Sequence, residues 1–108
     1  MYYCDIHGRE PKEIFPGVHL KSFWGEKMLV SLTTIDAGTI MDAHSHPHEQ
    51  LGYIIEGELT FIIDGQTKVL KAGEAYIIPG GVEHSVAANN GAVKVFDVFS
   101  PVREQLQW

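Results

Sequence analysis

The sequence lacks the features that mark several large protein classes. It holds a single cysteine, Cys4, so no intrachain disulfide can form. The fold must rest on its own core, and a lone thiol suits a reducing compartment. No apolar run approaches the ~18–20 residues of a membrane span. The stretch MYYCDIHGREPKE has no basic region followed by an apolar core, so it does not read as a signal peptide and a cytoplasmic protein is expected. Basic residues are scarce, 8 Lys and Arg against 14 Asp and Glu, for a formal charge of −6. That balance argues against nucleic-acid binding, which draws on basic patches. It would also repel an acidic small molecule at long range, so such a ligand needs a local cationic group. No internal repeat, low-complexity tract or linker is visible, and no stretch shows a helical period.

What is present fits one domain over residues 1–108, with residues 1–16 as an N-terminal arm. A compact fold of this size buries roughly 65% of the surface of its unfolded chain, enough for a core. Pro11 and Pro16 break any helix in the arm. Tyr2, Tyr3 and Phe15 could pack on the body of the protein or on a second subunit, or lie on a loosely ordered terminus. From Val18 onward strands recur every eight to twelve residues, separated by turn residues. Val18, Leu20 and Ser22 alternate with His19, Lys21 and Phe23, and Leu29, Ser31, Thr33 and Ile35 share a face opposite Val30, Leu32 and Thr34. The Asp64-Gly65 pair between two β-rich runs predicts a hairpin. Further strands are read over 51–55, 58–63, 66–71, 74–78, 83–87 and 92–100. The pattern is that of an all-β sandwich or barrel.

Three of the six histidines, His44, His46 and His48, fall within MDAHSHPHEQL. On a strand His44 and His46 would share a face, their Cα atoms roughly 6.5 Å apart at ~3.3 Å per residue. Imidazoles at that spacing can converge on one ion with metal–nitrogen bonds near ~2.1 Å. His48 has the same parity, but Pro47 disturbs the strand before it, so it is not counted as a ligand. Neutral imidazoles suit zinc, nickel, iron, manganese or copper better than calcium or magnesium.

The segment from Gly38 to Gly57 resembles the first cupin motif, G-x5-H-x-H-x3,4-E-x6-G, through Gly38, His44, His46 and Gly57, with Gln50 in the glutamate position. The segment from Gly73 to Ala88 resembles the second, G-x5-P-x-G-x2-H-x3-N, through Gly73, Pro79, Gly81 and His84; Ala88 stands at its last position and Asn89 one residue later. The resemblance implies a small antiparallel jelly-roll β-barrel with a divalent transition metal inside, nickel, zinc, iron or manganese, held by His44, His46, Gln50 and His84. An amide oxygen cancels none of the ion's charge, which favours Lewis acidity and anion binding over oxygen activation. Glu49 should point outward, unless a bulge exchanges it with Gln50.

On the last strand Val93, Val95, Asp97 and Phe99 share a face, so an inward row would carry Asp97 into the cavity. A carboxylate in an apolar row is costly unless paired or used. Arg103 follows beyond Pro101, with a guanidinium suited to carboxylate binding. A salt bridge between Asp97 and Arg103 at the barrel mouth, or an exposed Arg103, is the structural alternative. The run from His44 to Gln50 and the ending DVFSPVRE resemble the KdgF group of pectin-degradation cupins. That resemblance implies catalytic roles for Asp97 and Arg103 with Phe99 beside them. The implied reaction converts 4,5-unsaturated monouronates to linear keto acids, with Arg103 binding the substrate carboxylate and Asp97 acting as acid or base. The rival readings are another metal-dependent cupin enzyme (an oxygenase or sugar isomerase), a non-catalytic cupin that binds a sugar acid, and a barrel with vestigial ligands. With Asp97 inward, Phe96 and Val98 face outward, and a homodimer would cover them, with help from the arm and Trp108.

Overall fold

The computed structural model describes residues 2–107; Trp108, a candidate for the dimer contact, lies outside them. The strands are β1 (Lys12–Phe15), β2 (Val18–Trp24), β3 (Leu29–Ile35), β4 (Ile40–His44), β5 (Glu49–Glu56), β6 (Glu58–Ile63), β7 (Gln66–Lys71), β8 (Ala75–Ile78), β9 (His84–Ala87) and β10 (Val93–Ser100). A 3-10 turn, Glu104–Leu106, follows. No helix among the described residues is long and apolar enough to cross a membrane.

Two antiparallel sheets face each other as a jelly roll. The larger has the order β1-β2-β3-β10-β5-β8 and the smaller β4-β9-β6-β7. Period-2 alternation sets which side chains enter the space between them. β2, β3 and β10 read inward at every second residue, from Val18, Leu29 and Val93 respectively. Ile54, Val93 and Val95 of the larger sheet meet Leu59, Phe61 and Leu70 of the smaller in one buried cluster. The Asp64-Gly65 turn closes the β6–β7 hairpin with both residues at positive φ, 49° and 76°, the type I′ form that matches strand twist.

Three features depart from the sequence reading. The arm contains β1, paired on β2, while Tyr2 and Tyr3 are almost fully exposed and do not pack on the body of the protein. β4 is a separate strand at the edge of the smaller sheet, and it ends at His44. The tail after β10 folds back: Leu106 joins Leu20, Leu29 and Phe99 in a second buried cluster with Val102 against it. The buried Ser22 hydroxyl donates to the Leu106 carbonyl and fastens the turn to β2.

The outer face of the larger sheet is apolar. Val30, Val98, Leu51 and Ile77 are successive cross-strand partners, and Leu32, Phe96 and Tyr53 form the next row. Phe96, Tyr53, Leu51 and Ile77 are exposed there, as the expected inward turn of Asp97 requires.

The face assignment is testable on one strand. Leu59→Ala should lower the unfolding free energy by ~2–5 kcal/mol, the usual cost of a core cavity. Ile62→Thr, on the open face of the same strand, should change it by ~0.5 kcal/mol or less. Denaturant midpoints at unchanged slope would measure both, and equal losses would overturn the assignment.

Candidate metal centre

The fold gathers three histidines by two routes. His44 ends β4 and His84 begins β9, and the two are direct partners in the sheet, with ring centroids 4.3 Å apart. His46 arrives differently from the sequence reading: it lies on the loop between β4 and β5, because the strand stops before Pro47. Its ring reaches His84 from that loop, centroids 5.0 Å apart. The loop is held on the one carrying His84. The Gly81 N–H donates to the His46 carbonyl at 2.8 Å, and a Cβ on Gly80 would strike the Pro47 carbonyl oxygen. Gln50 enters from β5 of the opposite sheet, buried, while Glu49 is exposed. The strand is regular there, so the two do not exchange. The site therefore bridges both sheets.

The donor set fits a divalent cation. One ligand nitrogen from each of His44, His46 and His84 lies within 4.8 Å of the others. That is near the spacing of donors around one ion with bonds of ~2.1 Å. Each imidazole faces a backbone carbonyl through Nδ1: His44 to Asp42 at 3.0 Å, His46 to His48 at 3.0 Å, and His84 to Val82 at 2.9 Å. A neutral ring donating Nδ1–H leaves Nε2 as a bare lone pair, the form a metal needs. His46 Nε2 then meets Gln50 Oε1 at 3.0 Å. Two acceptors at that distance repel unless a cation lies between them. Burial, then the Arg103 charge, lowers the His46 pKa, so a proton is a poor candidate. Burial lowers that of His84 as well. A metal ion would satisfy all four groups. His48 is outside this group; its backbone carbonyl serves His46, and its own Nδ1 is buried without a hydrogen-bond partner.

Asp97 enters from β10, 7% exposed, beneath Gln50. Gln50 Nε2 donates to its Oδ1 at 3.2 Å, and the Tyr76 hydroxyl donates to the same oxygen. Oδ2 makes no hydrogen bond among the described residues. Burial raises the Asp97 pKa from 3.8 to about 6, against the opposing pull of Tyr76, Gln50 and Arg103. The Tyr76 pKa is raised by burial and then by the Asp97 charge. Tyr76 was not foreseen, because only the β5–β8 pairing brings it beside Asp97. The only sign in the chain is a lone polar aromatic at an inward position of an apolar strand.

Arg103 forms no ion pair with Asp97 among the described residues, so the salt-bridge alternative is not realised. Its guanidinium lies over the Phe99 ring, 5.1 Å from the centroid, and Phe99 meets His46 edge-on at 5.8 Å. Arg103 Nε is buried without a hydrogen-bond partner. Burial lowers the Arg103 pKa, and nearby Asp97 raises it. His44, His84, Gln50, Asp97, Phe99 and Arg103 all line one cavity between the sheets, of about 80 Å³. The arrangement offers a candidate cation site, a carboxyl whose pKa is raised by burial, and a guanidinium with an unpartnered Nε for an anion.

The buried carboxyl has a stability signature. Its folded pKa lies above the unfolded value, so the folded state retains a proton the unfolded chain has lost between about pH 4 and 6. Its contribution to stability therefore falls as pH rises through that window and stays low above it. In metal-stripped protein, Asp97→Asn should gain on the order of 2–3 kcal/mol over wild type at pH 7.5, and little at pH 4. Thermal unfolding at both pH values measures this, and a gap independent of pH would contradict it.

Comparison with known proteins agrees with this geometry. The family model described as "Cupin domain" matches residues 31–99. The pectin degradation protein KdgF of Dickeya dadantii (strain 3937) is 28% identical over 94 residues, 85% of this chain and 86% of that one. An RmlC-like cupin from Shewanella frigidimarina NCIMB 400 superposes with a TM-score of 0.92 at 27% identity, over 99% of this chain and 96% of that one. KdgF from Halomonas sp. superposes with a TM-score of 0.88 at 25% identity, over 95% and 96%. The family match spans more than half of the chain and takes in His44, His46, Gln50, His84 and Asp97, and on the ground of that span the chain belongs to the cupin domain family.

Proposed function

We propose that this cupin acts in pectin or alginate breakdown as a metal-dependent enzyme that opens 4,5-unsaturated monouronates to linear keto-uronates. The observation that carries this reading is a carboxyl and a guanidinium that line one cavity without forming an ion pair with each other. The Asp97 carboxyl has a free Oδ2, and the Arg103 guanidinium has a buried, unpartnered Nε. The similarity to pectin-degradation KdgF supports it, as does the amide in place of a carboxylate among the metal-facing groups.

The substrate is a cyclic enol ether bearing a carboxylate. Arg103 binds that carboxylate, with Phe99 fixing the plane of the guanidinium. Asp97 removes the proton of the C1 hydroxyl. The C1–ring-oxygen bond breaks, leaving an aldehyde at C1 and an enolate at C5. Asp97 returns the proton at C4, and C5 becomes the ketone. The net change is an isomerisation, with no atom gained or lost. Burial raises the Asp97 pKa and a nearby cation would lower it, and a carboxyl held between these opposing effects can take a proton and return it. A divalent nickel, zinc, iron or manganese ion held by His44, His46, Gln50 and His84 would supply Lewis acidity toward the substrate's oxygens. A cytoplasmic location, in keeping with the lone Cys4, belongs to the same proposal.

The test is loss of enol absorbance from a lyase-generated unsaturated uronate. Wild type should accelerate it over the same protein stripped of metal. Asp97→Asn should lower kcat by ~10²–10⁴ with metal content intact. Arg103→Ala should act mainly on KM. Equal rates with and without protein would overturn the reading, and saturable binding without turnover would favour a sugar-acid binder.

The outward apolar rows support a symmetric homodimer through the larger sheet. Light scattering should give twice the chain mass, and Phe96→Lys should halve it. A monomeric wild type would remove the proposal.

A further inference from the structure

The Gln50 amide has two unlike ends, and only one can serve a cation. Its carbonyl oxygen faces His46 Nε2, and its NH2 faces Asp97 Oδ1. A half-turn about the last side-chain bond would exchange them. The NH2 would then meet the histidines, and no amide oxygen would remain for an ion. What prevents the half-turn is the chemistry of Asp97. A carboxylate accepts and does not donate, so it holds the NH2 end and rejects the oxygen end.

Asp97 is itself held. Tyr76 donates its hydroxyl to the oxygen that receives Gln50, and the amide lies close enough to act on Tyr76 as well. The Tyr76 ring is buried and packs on Phe61, with centroids 4.3 Å apart. Yet Tyr76 is on β8 and Asp97 on β10, with β5 between them. The register is continuous: Asp97 pairs with Gly52, and Gly52 with Tyr76. A Cβ at Gly52 would fall 2.1 Å from Tyr76 Cζ, 2.3 Å from its hydroxyl oxygen and 2.5 Å from Asp97 Oδ1. Gly52 has no positive φ to explain it. Its role is the space it leaves, through which Tyr76 reaches across a strand.

We infer that Tyr76 is a positioning residue for the metal centre. Acting through Asp97, it fixes which end of the Gln50 amide faces the ion, and Gly52 provides the opening it needs. This rests on reading Gln50 as a metal ligand and extends it to two residues outside the ligand set. Asp97 thereby gains a second task, orienting a ligand, separate from any proton it transfers.

The probe is Co²⁺ alone, followed by competition with a chelator and by its visible absorption spectrum. Gln50→Ala tests the underlying ligand reading and should weaken binding by ~10-fold or more. Asp97→Ala should weaken it by ~10–100-fold, the usual cost of losing an orienting partner of a ligand. Tyr76→Phe removes one oxygen and keeps the ring, so packing is preserved; it should weaken Co²⁺ binding several-fold and alter the spectrum. Gly52→Ala should reproduce the Tyr76→Phe effect. If Gln50→Ala weakens binding while Tyr76→Phe and Asp97→Ala match wild type in affinity and spectrum, the inference is wrong. If Gln50→Ala itself binds as wild type, the ligand reading fails and the inference with it. Should the Ala variants fail to fold, Tyr76→Phe decides alone.

Discussion

Two acceptors face each other at the centre of this protein. His46 Nε2 and Gln50 Oε1 are 3.0 Å apart, and in a neutral ring that donates from Nδ1 to its carbonyl the inner nitrogen carries no hydrogen. In a low-dielectric interior such a pair is unfavourable unless positive charge lies between. The surrounding architecture is arranged to keep it there. One sheet supplies His44 and His84, the other supplies Gln50, and the loop bearing His46 closes the gap.

Register does the rest. Side chains that touch at the site come from residues far apart in sequence but opposite one another across strands. Ser22, Ser31, Asp97, Gly52 and Tyr76 are successive partners across the larger sheet. Two residues further along, Leu29, Phe99, Gln50 and Ile78 form the next inward row. A slip of one residue in β10 would turn Asp97 and Phe99 to the outer face and bring Phe96 and Val98 in. The apolar rows on both sides of β10 thus have different causes: the inner completes the core and the site, and the outer is surplus to this chain's own packing.

Much of this was legible in the chain because period 2 is a local signal. The alternation of β2, β3 and β10, the Asp64-Gly65 turn and the inward direction of Asp97 needed only neighbours in sequence. The histidine spacing and the glycines that flank it carried the family resemblance. Other parts depend on non-local contacts. β4 shows no clean alternation, since an edge strand is accessible on more than one side. His46 was read as a strand residue because its spacing from His44 fits a strand, whereas Pro47 and the Gly80–Gly81 loop decide its position. The placement of Arg103 over Phe99 follows from a contact between Ser22 and Leu106, 84 positions apart. Tyr76 and Gly52 became visible only once β5 lay between β8 and β10.

The contact between the Pro47 and Gly80 loops has a consequence for how the protein is made. Polypeptide-to-polypeptide bonds shape the ligand loops, and the imidazole tautomers are set by carbonyls of the same chain. An ion would thus meet loops whose shape the polypeptide itself helps to set, unlike in small domains that acquire structure only on taking up zinc. Intrinsic preference among first-row ions follows ligand chemistry rather than folding. An ion taken up by the finished protein would then be selected by its donor atoms, three imidazole nitrogens and one amide oxygen, and by no gain from ordering the chain.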